Sequence, residues 1–226
     1  MKRPEPKSSA VRRILLVDDH PITRQGLVAM IGLEPDLQVC GEAESAGAAL
    51  ALLARTKPDL ILVDLSLPGR SGLDLIKDLA ATHPGIPALV LSMHDEGLYA
   101  ERSIRAGARG YLMKSAGGQA VMEAIRHVLS GKIYVSAAVG TRILESLGTR
   151  QQPGNGTPMA GLSDREFEVF QLIGEGVGTR EIAGRLNLSV KTVEAHRAHL
   201  KEKLRVKDAT GLVREAVRWV ESQQGV

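Results

Sequence analysis

The stretch ILLVDDH, residues 14–20, decides the fold: four apolar residues run without alternation and stop at a pair of acids. A strand with one wet face alternates apolar and polar side chains. An unbroken run instead implies burial on both faces, the habit of a parallel sheet covered by helices. Four further short runs follow it: LQVCG (37–41), LILVD (60–64), PALVL (87–91) and GYLM (110–113). Amphipathic or alanine-rich segments between and after them predict helices near 21–33, 45–56, 72–82, 96–106 and 117–130. This alternation, from Ile14 to about Gly131, predicts an α/β domain built on a five-stranded, parallel, doubly wound sheet.

In such a sheet, ligands collect beyond the carboxyl ends of the strands. Asp18 and Asp19 close the first run and Asp64 the third, while Ser92 follows the fourth and Lys114 the fifth. Taken singly, each acid reads as a helix cap. Together, three converging carboxylates repel one another unless a hard divalent cation neutralises them with oxygen ligands, and Mg²⁺ fits that chemistry. The added hydroxyl and ammonium complete a place for a phosphoryl group.

Beyond the sheet domain, residues 133–147 have the apolar content of a linker helix, and GTRQQPGNGTPMAG (148–161) reads as a flexible connector. The linker region is therefore set at 133–158. From 159 to 226 the signals are helical only, and they predict four short helices. Ser163 and Glu166 have capping-box spacing, and Ser189 is placed to cap the third helix.

The whole chain has 226 residues, 43% apolar and 24% charged, with a formal charge of +3. Such a composition suits two folded domains and excludes wholesale disorder. No apolar run approaches the length of a spanning helix, and the N-terminal segment lacks the apolar core of a signal peptide, so a cytoplasmic protein without a membrane partner is expected. A single cysteine, Cys40, excludes an internal disulfide and multi-cysteine metal sites. Residues 1–12 read as a disordered basic tail. Charge is concentrated from Arg185 to Lys207, where seven basic residues stand against Glu194 and Glu202. By itself such a run is as well explained by a solvated face as by a nucleic-acid partner.

Over about residues 13–132 the chain resembles the bacterial response regulators, through ILLVDDH (14–20), DLSLPGRSG (64–72), LSMH (91–94) and GYLMK (110–114), and the resemblance implies a receiver domain of flavodoxin-like fold. The resemblance implies that Asp64 accepts a phosphoryl group from a cognate histidine kinase. It implies that Asp18, Asp19, Asp64 and the backbone carbonyl of Ser66 serve Mg²⁺, that Ser92 is the switch hydroxyl, and that Lys114 pairs with the phosphate. Tyr111 would follow Ser92, and Ser66 and His94 occupy positions that tune dephosphorylation. Leu67 and Ser115 depart from common family residues without removing a reacting group.

The C-terminal part resembles the LuxR-type helix-turn-helix of the NarL/FixJ response regulators, through LSDREFEVFQLIGEG and TREIAGRLNLSVKTVEAHRAHLKEKL. Ile182, Ala183, Leu186, Leu188, Val193 and Leu200 suit a small core, which leaves the opposite face of the third helix polar. By this resemblance Glu194, Ala195 and Ala198 lie near bases of a double-stranded operator, and Lys191, Thr192, Arg197, Arg205 and Lys207 near phosphates. An alternative for Glu194 is an ion pair with Arg197. His196 reads as a packing residue. On the last helix, Leu212, Val213, Val217 and Val220 are candidates for pairing two subunits, in competition with a core role. The resemblance leaves RNA polymerase open as a further partner.

The expected function is a phosphorylation-controlled transcription regulator that dimerises when active and is no enzyme, any self-dephosphorylation being regulatory. A regulator that ignores phosphorylation keeps the same fold. An aspartyl-phosphate phosphohydrolase is disfavoured, because the general acid such enzymes carry two residues after the nucleophile is here Ser66.

Overall fold

The structure is a computed structural model, and it describes residues 11–148 and 161–224. The chain divides into two compact units, 1–143 and 144–226.

The first unit contains strands β1 (Arg12–Val17), β2 (Leu37–Ala43), β3 (Leu60–Val63), β4 (Ala88–Ser92) and β5 (Gly110–Met113). They form one sheet in the order β2-β1-β3-β4-β5, with every pair parallel. Helices α1 (Pro21–Gly32), α2 (Ala46–Thr56), α3 (Gly72–Thr82), α4 (Glu96–Ala106) and α5 (Gly118–Leu129) alternate with the strands. Every residue of β3 and β4 is buried, as the unbroken apolar runs require. Ile14 and Leu16 of β1, Leu60 and Leu62 of β3, and Leu89 and Leu91 of β4 share one core cluster with Leu27 and Ile31 of α1 and Val121 and Ile125 of α5. Side chains two apart on a strand share a face, so this cluster is one side of the sheet.

Local chemistry sets the helix ends. Ser45, Ser71 and Asp95 each accept a hydrogen bond from a first-turn amide of α2, α3 and α4. Gly107, at φ 113°, ends α4 in a left-handed conformation, where a side chain would also meet Ala80.

Residues after 132 differ from the sequence expectation. A linker is expected from 133, but Tyr134 forms a parallel bridge with Gly110 of β5, and its carbonyl accepts from the Tyr111 amide at 2.9 Å. Helix α6 (Ala137–Gly148) follows, with Val139 buried and Arg142 donating to the Gly97 carbonyl at the start of α4. These contacts place the first half of α6 in the sheet unit. The unpaired edge of β5 gains hydrogen bonds from the chain that leaves it, which sequence periodicity does not reveal. The expected basic tail falls almost wholly outside the described residues, although Arg12 opens β1. Most of the expected connector, 149–160, also lies outside them.

The second unit holds α7 (Asp164–Gly174), α8 (Thr179–Arg185), α9 (Val190–Lys203) and α10 (Ala209–Gln224). Ser163 and Glu166 form the expected capping box, and Ser189 caps α9. Phe167, Val169, Phe170, Ile173, Ile182, Val193, Leu200, Leu212 and Ala216 are buried, whereas Leu186 and Leu188 are only half-buried. Trp219 meets the rings of Phe167 and Phe170 with centroids 5.2 Å and 5.8 Å away. Gly174 lets α10 approach α7 closely, since a side chain there would meet the Ala216 carbonyl and Val220.

Candidate functional site

The strand order carries the site. Because β1 and β3 are neighbours with Val17 opposite Val63, the residues that follow them, Asp18 and Asp64, leave the sheet side by side. Two parallel strands of similar register must deliver adjacent acids to the same end, at the switch point of the sheet. Both acids are buried, each 3% exposed, and the Lys114 ammonium reaches in from the end of β5 to lie 2.7 Å from Asp18 Oδ2 and 2.7 Å from Asp64 Oδ2. Burial works against the charge on Lys114, but the Asp64 and Asp18 carboxylates outweigh it and hold the ammonium above its ordinary range.

Asp19 stands at the rim. Burial raises its carboxyl above the ordinary range and the charges of Asp64 and Asp18 add to that, with His20 opposing them. Its Oδ1 is shielded from solvent and accepts no hydrogen bond, although His20 Nδ1 is 2.8 Å away. Asp18, Asp19, His20 and Asp64 place one ligand atom each within 4.8 Å of all the others. Three carboxylates meet here beside one lysine, an anionic excess in a largely buried place. The oxygen-rich donor set and the unsatisfied Asp19 oxygen fit a divalent cation.

The remaining strand-end residues converge on the same place. The Ser66 amide donates to Asp64 Oδ1 at 3.3 Å, and the Ser66 hydroxyl lies 3.0 Å from His94 Nε2. Ser92 is fully buried and its Oγ accepts from the His94 amide at 3.2 Å. Tyr111 is buried too, with its hydroxyl donating to the His94 carbonyl at 2.8 Å, and burial pushes its phenol well above the ordinary range. The His94 ring stacks on Tyr99 with centroids 4.4 Å apart. The loop after β4 is thus tied to Ser92, Ser66 and Tyr111 at once.

Three residues escaped the sequence reading. His20 has no role that pattern or spacing gives it, though its place directly after the acid pair is a usable signal. Arg24 donates to the Asp18 carbonyl at 2.6 Å and steadies the backbone of the acid pair. Gly72 starts α3 so close to the Asp64 loop that a Cβ would lie 2.1 Å from the Asp64 carbonyl oxygen. Only a residue without a side chain permits that approach.

In the helical unit, α9 buries Val193 and Leu200 and turns Lys191, Thr192, Glu194, Ala195 and Ala198 to solvent, with Arg197 half-buried. Arg205 and Lys207 are exposed just beyond its end. Among the described residues Glu194 has no ion-pair partner, so the alternative pairing with Arg197 is absent from this conformation. The Thr192 hydroxyl lies 2.8 Å from Ser189 Oγ, where the two serve the helix start together. His196 is half-buried, and burial lowers its pKa below the ordinary histidine value.

One expectation is corrected. Leu212, expected among the dimerisation candidates, has no exposed surface, because it faces the core that α10 shares with α7. Val217 and Val220 are half-buried, and Val213, 39% exposed, is the most open of the four candidates.

Among the described residues no helix is long and apolar enough to cross a membrane. Residues 14–126 match the family described as response regulator receiver domain, and residues 160–216 match the bacterial regulatory proteins of the luxR family. The oxygen regulatory protein NreC of Staphylococcus carnosus (strain TM300) is 34% identical over 210 residues, covering 91% of this chain and 97% of that protein. NreC of Staphylococcus aureus (strain JH9) is 36% identical with the same coverage. Among solved structures, RcsB from Salmonella enterica serovar Typhimurium, bound to promoter rprA in the presence of phosphomimetic BeF3-, matches with a TM-score of 0.59 and 26% identity. That match covers 90% of this chain and 97% of RcsB. A LuxR-family two-component response regulator from Aurantimonas sp. SI85-9A1 matches with a TM-score of 0.56 and 34% identity over 62% of this chain and 99% of that one. With both halves matched in this order and most of its length aligned to NreC, the chain belongs to the response regulators of the NarL/FixJ family, a receiver domain followed by a LuxR-type DNA-binding domain.

Proposed function

We propose that Asp64 is the phosphoacceptor of a two-component switch that controls DNA binding by the second domain. The observation that carries this reading is the sharing of the Lys114 ammonium between Asp64 and Asp18, 2.7 Å from each, at the end of β3. A carboxylate oxygen of Asp64 attacks phosphorus, the bond from phosphorus to the donor nitrogen of the kinase histidine breaks, and the imidazole leaves with that electron pair. Lys114, already in place, pairs with the transferred phosphoryl oxygens and offsets their charge. Asp18, Asp19, Asp64 and the Ser66 carbonyl would hold Mg²⁺, which when bound screens the repulsion between carboxylates and incoming phosphoryl group.

The added charge acts on the β4 loop. Ser92 Oγ exchanges the His94 amide for a phosphoryl oxygen, and Tyr111, tied to the carbonyl of the same histidine, follows. Such a change biases two pre-existing arrangements of the receiver. The output is dimerisation, with Val213, Val217 and Val220 of α10 as candidate contacts, and operator binding by α9. Glu194, Ala195 and Ala198 face bases, and Lys191, Thr192, Arg197, Arg205 and Lys207 face phosphates. RcsB in complex with a promoter, a similar chain in a DNA-bound state, supports this assignment. The partners on this reading are a histidine kinase, double-stranded DNA and a second copy of the chain.

The test is DNA affinity and dimer mass for wild type and Asp64→Asn, with and without acetyl phosphate and Mg²⁺, at one salt concentration. Phosphodonor is expected to tighten binding and promote dimers in the wild type alone. Equal binding by both proteins throughout would overturn the switch and leave a phosphorylation-independent DNA-binding protein.

A further inference from the structure

We infer that His20 is a nitrogen ligand of the receiver's cation site and biases that site from Mg²⁺ toward first-row transition cations. The inference rests on the reading of the acid cluster as a cation site, and it names a residue that this reading does not use. His20 is the residue before α1, and its side chain makes no cap hydrogen bond to the helix. Pro21 at the first helical position and the Arg24 bond to the Asp18 carbonyl hold the backbone on both sides of it. The imidazole is thus not spent on capping the helix; 61% exposed, it lies over the acids with Nδ1 in hydrogen-bond contact with Asp18 Oδ1 at 3.2 Å, a contact that a shared cation would replace.

The spacing is that of ligands sharing one ion. Two atoms each about 2.1 Å from an octahedral cation lie roughly 3.0 Å apart when adjacent and roughly 4.2 Å apart when opposite. His20 Nδ1 lies 2.8 Å from Asp19 Oδ1, 3.2 Å from Asp18 Oδ1 and 3.9 Å from Asp64 Oδ2. The 2.8 Å approach to Asp19 is at ion-pair distance but is not a hydrogen bond, and it leaves Asp19 Oδ1 shielded from solvent without a hydrogen-bond partner. An ion between the two atoms satisfies both. Mg²⁺ takes oxygen and gains little from an imidazole, whereas nitrogen is a preferred donor for the transition cations. A site with one histidine among three carboxylates thus retains the charge needed at a phosphoryl group and changes which ion is held.

The experiment uses the full-length protein and Mn²⁺ as the probe. Mn²⁺ binding is followed by loss of the free-ion electron paramagnetic resonance signal, Mg²⁺ is the competitor, and pulsed spectra read ¹⁴N coupling of histidine strength. His20→Asn is the variant, because asparagine is a favoured residue before a helix and the wild-type side chain makes no cap bond. The expected result is histidine coupling in the wild type, its loss in His20→Asn, and a fall of about tenfold in the preference for Mn²⁺ over Mg²⁺. Bound Mn²⁺ without that coupling, or coupling and preference unchanged in His20→Asn, overturns the role of His20 while leaving the cation site standing. If neither ion binds the wild type, the cation-site reading falls and the role of His20 falls with it.

Discussion

In the receiver, the Lys114 ammonium is 2.7 Å from two buried aspartates with a third at the rim, whereas in the helical domain Lys203 lies 2.6 Å from one buried carboxylate, Glu166. Both arrangements bury acids against a lysine, yet their balance differs. Glu166 also accepts from the Ser163 amide at 2.7 Å in a closed capping box, so its Oε2 takes two hydrogen bonds and its charge is matched by Lys203. The aspartates outnumber their lysine, and Asp19 Oδ1 goes without a hydrogen bond. A matched buried charge belongs to the fold, while an unmatched one marks a place built for something that arrives later.

The contrast can be broken at several points. The largest effect is expected from Asp64→Asn: complete loss of phosphoryl incorporation from acetyl phosphate, read by phosphate-affinity electrophoresis, with the melting temperature of the receiver unchanged or raised as carboxylate repulsion is relieved. A marked fall in that temperature would mean that the cluster is structural after all. Gly72→Ala comes next, since its Cβ would meet backbone rather than a movable side chain. It should destabilise the receiver by about 3 kcal/mol, measured by urea unfolding, and slow phosphorylation through displacement of the Asp64 loop.

Glu166→Gln tests the matched side and should cost the helical domain about 1–2 kcal/mol. Burial alone would raise the Glu166 pKa, but the Lys203 ammonium and the Ser163 amide outweigh it and hold the carboxyl below its ordinary value. The folded pKa is thus depressed, so the stabilisation is fully present above the ordinary glutamate range and is lost as pH falls through the folded value. Denaturant melts across that acid range should show a smaller pH dependence in the variant than in the wild type. The smallest effect is expected on α9, where Lys191 is exposed and makes no contact that the fold needs. Lys191→Ala should leave stability unchanged and reduce the slope of log affinity for DNA against log salt by about one.

Much of this protein could be read from residue order. Unbroken apolar runs ending in Asp18, Asp64 and Ser92, with Lys114 closing a fifth short run, predict a parallel sheet with its chemistry at the strand ends, because burial on two faces and ligand placement at a switch point follow from short-range pattern and topology rules. The capping box at Ser163 and the serine before α9 were visible for the same reason: caps are local, three residues long, and chemically explicit. Tertiary structure decided what depends on a partner distant in the chain. The return of Tyr134 to the β5 edge, the burial of Leu212 and the need for glycine at 72 each depend on an atom brought near only by folding. The position of His20 over the acids belongs with them. Its sequence neighbour Asp19 was in plain view, but its distance to Asp64 exists only because β1 and β3 lie side by side.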